Sequence, residues 1–261
     1  MVLVAMAFTN NLLNARLAEN EFTTNKQFML TTGLQIDDIA WTIGRTQTLR
    51  YSTRFAQLKC EAVAVEYSFE IKTVENSSWT PLDFTCTTSI IMFNMPISNY
   101  HVSNEYVERI FPSANFSFVQ NGTSAPVSHV YVIEKLPMTA GNYTRVVVVP
   151  TLRMLDAGEI GGVNYVKFFL PLLENGESPM LSQSVTLIGT AVTQYAYRNV
   201  THVKFIATFP QASQGFDSDF FKFQEEDLQQ GSYVRIVNMP AGNSVVEFYV
   251  GEVTVSLGLH V

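Results

Sequence analysis

The sequence predicts an all-β fold, an antiparallel β-sandwich or jelly roll. From Cys60 onward, apolar segments with a period of two recur between turn residues. Phe and Tyr are abundant, at 19 and 11, whereas charged residues make up only 15% of the chain. Low charge with many aromatic residues suits sheets whose faces are covered on both sides. Helices and strands do not alternate along the chain, which argues against a parallel α/β fold.

The first 57 residues differ from the remainder. They have weak periodicity and many polar side chains, with five basic and four acidic residues, so this zone is close to neutral. We expect residues 1–57 to form an extended N-terminal arm and residues 58–261 to form the β-sandwich domain. A short helix is possible within the arm at 11–19, with Leu12, Leu13 and Leu17 as a weak apolar face.

The strongest strand prediction is Cys60–Lys72, a half-buried strand with period-two alternation. One face is expected to carry Val63, Val65, Tyr67, Phe69 and Ile71, and the other Ala62, Ala64, Glu66, Ser68, Glu70 and Lys72. Phe84–Phe93 is predicted as the next strand. The continuous valine run in Arg145–Val149 indicates a strand buried on both faces. In all we expect nine or ten strands. The remaining candidates are Phe116–Val119, Val127–Leu136, Val163–Leu170, Val185–Tyr197, Val203–Phe209, Tyr233–Val237 and Val245–Leu257.

One short helix is predicted between the early strands, at Ser103–Phe111. Ser103 is a favourable N-cap, Glu105 lies in the first turn, and Pro112 ends the segment. Thr151–Ala157 is predicted to form a single helical turn.

Two features are predicted in the last third of the chain. Val185–Tyr197 and Val203–Phe209 are expected to form a hairpin around the turn at Arg198–Thr201. In the final strand the apolar residues change parity at Gly251. That change predicts a β-bulge there, because one extra residue reverses the alternation.

No local motif for catalysis was found. No histidine is spaced for metal binding with another ligand residue (His101, His129, His202, His260). Glu66 and Glu70 share one strand face but lie roughly 13 Å apart, whereas a retaining glycosidase needs about 5 Å. Asp217-Ser218-Asp219 lacks the Gly and Glu of a calcium loop. The sequence therefore predicts no catalytic residue, no metal ligand, no cofactor and no enzyme.

The sequence gives limited support for other kinds of binding site. Cys60 and Cys86 are two buried thiols or one disulfide bridge. Trp79 lies in a loop between strands, where it packs at an interface or stacks on a sugar. The net charge of −7 without a dense Lys and Arg run excludes a free-standing nucleic-acid binder. No apolar run approaches the 18 residues of a membrane-spanning helix.

The arrangement of the arm, the first two strands (Cys60–Lys72 and Phe84–Phe93) and the helix Ser103–Phe111 resembles capsid proteins of picorna-like viruses. Among these, coat proteins of insect viruses of the dicistrovirus, iflavirus or Nora-virus type are similar. The resemblance implies a viral jelly roll and a structural coat protein of an icosahedral, non-enveloped virion, assembled in the host-cell cytoplasm. The implied partners are other copies and sister coat chains, a host receptor, and the RNA genome only weakly or indirectly. No membrane span is implied.

The near-neutral arm is similar to this group and unlike coat proteins with Arg-rich, RNA-packaging arms. We expect the arm to mediate contacts between subunits, so that deletion of residues 1–50 leaves a folded body but weakens assembly. Three other classes remain open: a trimeric jelly-roll ligand or receptor-binding head, a carbohydrate-binding lectin, and an enzyme built on a β-sandwich.

Overall fold

Two β-sheets and one long helix make up the computed structural model. It describes residues 2–103, 106–112, 117–122, 128–133, 142–178, 183–221, 228–240 and 243–258, with the backbone alone at 2–8, 128–129 and 131–133. The six-stranded sheet has the order β1-β10-β14-β9-β8-β5. Its strands are β1 (Thr46–Arg50), β5 (Val119–Asn121), β8 (Leu152–Ile160), β9 (Val163–Asn175), β10 (Ser184–Arg198) and β14 (Asn243–Leu257).

The eight-stranded sheet has the order β12-β13-β11-β2-β3-β7-β6-β4. The described residues thus form fourteen strands, more than the nine or ten predicted. The four unpredicted strands are the short edge strands β1, β4 and β12 and the longer strand β8. The strands of this sheet are β2 (Gln57–Thr73), β3 (Thr80–Pro96), β4 (Val107–Phe111), β6 (Ser128–Ile133), β7 (Tyr143–Pro150), β11 (Val200–Thr208), β12 (Leu228–Gln229) and β13 (Ser232–Asn238).

Most neighbouring strands are antiparallel, as predicted for an all-β sandwich. Two pairs are parallel instead: β9 with β14 over thirteen residue pairs, and β5 with β8. The prediction of a wholly antiparallel sandwich is therefore wrong at these two places. A parallel pair cannot be recognised from period-two alternation, because that pattern gives a strand's faces and not its direction.

The two sheets bury a common core that is rich in aromatic rings, here called the inter-sheet core. Phe69 on β2 and Phe248 on β14 meet at 4.8 Å between ring centroids, so the two sheets are in direct contact. The Tyr67 hydroxyl, also buried here, donates a hydrogen bond of 2.7 Å to the Pro150 carbonyl. This core accounts for part of the abundance of Phe and Tyr in the sequence. Its largest fully buried side chains include Tyr67, Phe69, Phe118, Phe168, Phe205, Phe216, Phe220, Phe221 and Tyr233.

The N-terminal region is not an extended arm. Residues Val2–Ala40 form one helix, α1, of 39 residues, and Thr46–Arg50 form the edge strand β1. The predicted short helix at 11–19 is a part of this much longer helix. Between Ala18 and Ile39 the buried residues of α1 follow one another at alternating spacings of four and three, which is the pattern of a helix with one covered face. The seven residues at this spacing are Ala18, Phe22, Asn25, Met29, Thr32, Ile36 and Ile39, and Gly33 beside Thr32 is buried as well.

The covered face of α1 packs on residues of both sheets, and this second cluster is here called the helix core. In β7 the valines alternate between the two cores: Val147 and Val149 lie in the inter-sheet core, Val146 and Val148 in the helix core. The prediction of a strand buried on both faces at Arg145–Val149 is confirmed.

The change of parity at Gly251 also arises because the two faces of a strand contact two different cores. Strand β14 pairs with β9 in unbroken register through Gly251, so the predicted bulge in β14 is wrong. The register shift lies in the neighbouring strand β10, between Gly189 and Ala191. In β14, Phe248 faces the inter-sheet core and Val253 faces the helix core, because α1 covers only the second half of the strand's outer face.

Three further predictions are corrected. Of the predicted helix Ser103–Phe111, residues 107–111 form strand β4, which pairs with β6, and residues 104–105 lie outside the described residues. The segment 151–157 belongs mainly to strand β8 and is not a helical turn. Strands β10 and β11 do not pair as a hairpin: the chain passes from one sheet to the other at Asn199, which has a φ of 57°.

Candidate functional site

The sequence predicts neither a metal site nor a catalytic site, and this stays a prediction. The structure shows where most of the His, Cys, Asp and Glu side chains considered for such sites lie. Among the described residues, no group of three or more His, Cys, Asp or Glu side chains could hold a metal ion. His101 is exposed and His202 lies on β11. The side chain of His129 and the whole of His260 lie outside the described part, as does the acidic run at 225–227.

The acidic candidates make local contacts. Asp217 accepts a hydrogen bond of 2.9 Å at Oδ1 from the Phe220 amide, so its carboxylate stabilises a turn. Glu70 accepts from the Lys204 ammonium at 2.9 Å. Glu66 lies opposite Thr208 of β11, and Glu70 opposite Lys204, in the register of β2 with β11.

Cys60 and Cys86 are free thiols, so the alternative of a bridge is wrong. They lie on adjacent strands, but Cys60 pairs with Ile91 and Cys86 with Tyr67, which separates them along the ladder. The Cys60 Sγ donates to Asn175 Oδ1 at 2.8 Å. Burial raises the pKa of each thiol to about 12.

We expect both thiols to be inert in the folded protein. At about pH 8 a thiol of pKa 12 is ~0.01% thiolate, whereas an unfolded cysteine is roughly a quarter ionised. Reaction with a chromogenic disulfide reagent is expected to be about a thousandfold slower in the native protein than in concentrated guanidinium. Prompt reaction of either thiol under native conditions would contradict this.

Trp79 is half-buried beside strands β2 and β11. The Lys72 ammonium lies 4.6 Å from the centroid of its ring and the Lys204 ammonium 5.7 Å, and the His202 ring meets it edge-on at 6.3 Å. Cations therefore share the surface of the indole, which leaves less of the ring for a neutral sugar than the sequence suggested.

Helix α1 is the element that distinguishes this sandwich, and its second half is held firmly to the body. Phe22 stacks on Tyr100 at 4.7 Å between ring centroids and contacts Phe93 at 6.2 Å. Phe28 contacts Tyr51 at 5.3 Å. Apolar burial thus fixes the helix from Ala18 onward.

A carboxylate of the helix adds a specific polar anchor. Glu21 accepts hydrogen bonds from the backbone amides of Arg54, Phe55 and Ala56, at 2.9 to 3.2 Å. Successive amides that converge on one anion form a concave binding site for it. One turn later, the Asn25 amide donates to the Ser52 carbonyl at 3.0 Å. The segment between β1 and β2 therefore binds the helix through hydrogen bonds to Glu21 and Asn25.

Two ion pairs complete the attachment of the covered part of the helix. Lys26 pairs with Glu108 on β4, and this hydrogen bond lowers the pKa of the Glu108 carboxyl below its usual value. Asp37 pairs with Arg153 on β8 at 3.5 Å and accepts from the Trp41 indole at 3.0 Å. These contacts orient the helix, while burial supplies most of the stabilisation.

The first half of the helix has different surroundings. Leu12, Leu13 and Leu17 are 56%, 57% and 38% exposed, and no charged side chain precedes Arg16 in the sequence. We call these three residues the leucine face. Arg16 lies between Leu12 and Leu13 on the helix surface and pairs with Glu19 at 2.9 Å, so one neutralised ion pair borders the three leucines. Exposed apolar side chains grouped in this way are characteristic of surfaces that contact another molecule. The sequence indicated a weak apolar face here. It did not indicate that this face lies on the exposed half of a helix whose other half is fixed to the body of the protein.

Comparison with known proteins does not assign this chain to a family. No family model, no curated protein and no solved structure matches this chain. Within the part of the chain that the structure describes, no helix is both long and apolar enough to cross a membrane.

Proposed function

We propose that this protein is a structural coat subunit that assembles with copies of itself, and with sister chains, into an icosahedral virus shell. The observation that supports the proposal best is the leucine face on the free half of α1. The anchored half from Ala18 onward fixes its direction relative to the body. A helix held in this way presents the same apolar surface on every copy, which repeated contacts between subunits require.

The low charge of the chain fits the same function. Only 15% of residues are charged, and subunit interfaces are depleted of charged residues at their centres. Contacts that are individually weak give a closed shell high collective stability. In this proposal the sandwich is a variant of the viral jelly roll, to which the parallel pairing of β9 with β14 is added.

A trimeric binding head is the second candidate. A helix that projects an apolar face can supply the stem of such a protein by packing against two copies of itself. The two proposals differ in the final assembly: a closed shell in the first and a discrete trimer in the second.

Sedimentation and negative-stain microscopy of natively purified material test the coat proposal. A uniform shell of roughly 300 Å with many copies of this chain, a size we expect for a small icosahedral particle built through wide interfaces, would support it. A stable trimer that never forms shells would favour the binding head, and a stable monomer would contradict both proposals.

The leucine face gives a more local prediction. Replacing Leu12, Leu13 and Leu17 together by Ser is expected to weaken self-association at least about tenfold, because three exposed apolar side chains then no longer leave water on contact. Sedimentation velocity over a concentration series measures the effect. The control is Leu34→Ser on the anchored half of the same helix, where the leucine is 46% exposed. Equal association of both variants would show that the leucine face is not the contact.

A further inference from the structure

Two lysines and a histidine converge on one tryptophan on the outer face of the eight-stranded sheet. Glu70 and Lys72 point outward from β2, because their neighbours in the strand, Phe69 and Ile71, lie in the inter-sheet core. The register places Lys204 of β11 beside Glu70, and His202 beside Lys72. On the next strand, β13, Asn238 lies beside His202 and the exposed Ile236 beside Lys204.

The charges of this cluster do not balance. Lys204 pairs with Glu70 at 2.9 Å, whereas none of the ion pairs among the described residues involves Lys72. Both ammonium groups lie within 6 Å of the centroid of the Trp79 ring. Two cations therefore share one carboxylate and one indole, in a chain whose net charge is −7. A local excess of positive charge on an acidic protein attracts a negatively charged group.

The loop that carries Trp79 is fixed before any ligand binds. The Asn76 amide donates to Thr73 Oγ1 at 3.1 Å, and Asn76 Oδ1 accepts from the Ser78 amide at 2.9 Å. The Asn76 side-chain amide donates to Thr80 Oγ1 at 3.2 Å. A ligand at this place would not have to order the loop, which lowers the entropic cost of binding.

We infer that this cluster, Lys72, Trp79, His202 and Lys204, binds an acidic oligosaccharide. The carboxylate or sulfate of the sugar would accept charge-assisted hydrogen bonds from the two ammonium groups. The indole holds the two ammonium groups in place through cation–π contacts. The His202 and Asn238 side chains offer hydrogen-bonding groups for the hydroxyls of the sugar. A neutral sugar would leave the excess charge uncompensated. A nucleic acid needs a longer row of cations than two lysines provide.

Isothermal titration calorimetry with the isolated chain tests this inference. Because binding is measured on the single chain, the result does not depend on whether the protein forms shells. The probes are sialyllactose, a sulfated heparin-type tetrasaccharide, neutral lactose and a single-stranded DNA oligonucleotide. We expect saturable binding of at least one acidic sugar, weaker at higher salt, and no binding of lactose.

Three variants locate the site. Lys72→Gln is expected to weaken binding about tenfold, because one charge-assisted hydrogen bond is lost. Glu70→Gln is expected to tighten binding a few-fold, because it removes the competing carboxylate. Lys167→Gln is the matched control: Lys167 also lies near an aromatic ring, Tyr249 at 5.7 Å, and a carboxylate, Glu247 at 3.4 Å, but on the other sheet.

The inference is overturned by any of three results. One is that neither acidic sugar binds at millimolar concentration. Another is that Lys72→Gln and Lys167→Gln bind the acidic sugar equally well. The last is that the DNA oligonucleotide binds more tightly than either sugar, which would identify an electrostatic surface for nucleic acid instead.

Discussion

A chain that lacks residues 1–50 is expected to be unfolded, contrary to what the sequence predicted for an extended arm. The deletion removes α1 and β1, and with α1 it removes the buried side chains of Phe22, Met29, Ile36 and Ile39. Truncation of each such residue to Ala alone costs about 2–5 kcal/mol. The sum matches or exceeds the whole stability of an ordinary domain, about 5–15 kcal/mol.

The matched control is a deletion that ends before the first buried residue. Removing residues 2–17 leaves Ala18 and the anchors at Glu21 and Asn25 in place, so the protein is expected to unfold cooperatively at nearly the same temperature as the full chain. Near-ultraviolet circular dichroism and a thermal melt distinguish the two deletions. A cooperative melt of the chain 51–261 near that of the full chain would show that the helix core is dispensable.

The sequence missed α1 for an identifiable reason. Its buried positions follow helical spacing, but two of the seven, Asn25 and Thr32, are polar. Asn25 is buried because its side chain donates to the Glu21 and Ser52 carbonyls, and Thr32 because its hydroxyl donates to the Phe28 carbonyl. A pattern based on hydrophobicity is interrupted at both positions, so the periodic signal of the helix disappears.

Local patterns predicted strands well where burial determined them. The valine run in β7 and the alternation in β2 from Val65 to Ile71 follow the covered faces. The alternation predicted for β2 before Val65 is wrong: Val63 is 43% exposed with a φ of 51° and Ala64 is buried, because the register with β3 shifts between Glu61 and Val65.

The helix predicted at Ser103–Phe111 failed because its capping signals are local, whereas pairing of β4 with β6 is a tertiary contact that overrides them. Partner and direction of a strand depend on residues distant in sequence, so the parallel pair of β9 and β14 could not be predicted.

The same limit applies to the candidate binding cluster. Trp79 was recognised in the sequence because an aromatic residue in a loop is a local feature. Its neighbours Lys72 and Lys204 lie 132 positions apart in the chain and become adjacent only through the register of β2 with β11. The leucine face was visible in part, but its exposure depends on where the body of the protein ends beneath the helix.

Replacing Gly251 by Ala is expected to lower the free energy of unfolding by about 2–3 kcal/mol, as overpacking of a close contact does. A Cβ at this position would lie 2.4 Å from the carbonyl oxygen of Ala40 and 2.9 Å from the ring of Trp41. The first of these is backbone and cannot turn away, so the end of α1 would have to move off the sheet. A Cβ at Gly189 on the adjacent strand would likewise lie 2.6 Å from the carbonyl oxygens of Ile39 and Thr42.

The control for Gly251→Ala separates crowding from backbone conformation. Gly158 has a φ of +81°, and a methyl group added there would meet no atom within 4 Å, so Gly158→Ala is expected to cost only about 1 kcal/mol, through its backbone. Denaturant unfolding of both variants measures the difference. A loss at Gly251 no larger than at Gly158 would mean that α1 shifts without cost and that its position on the sheet is not fixed by these glycines.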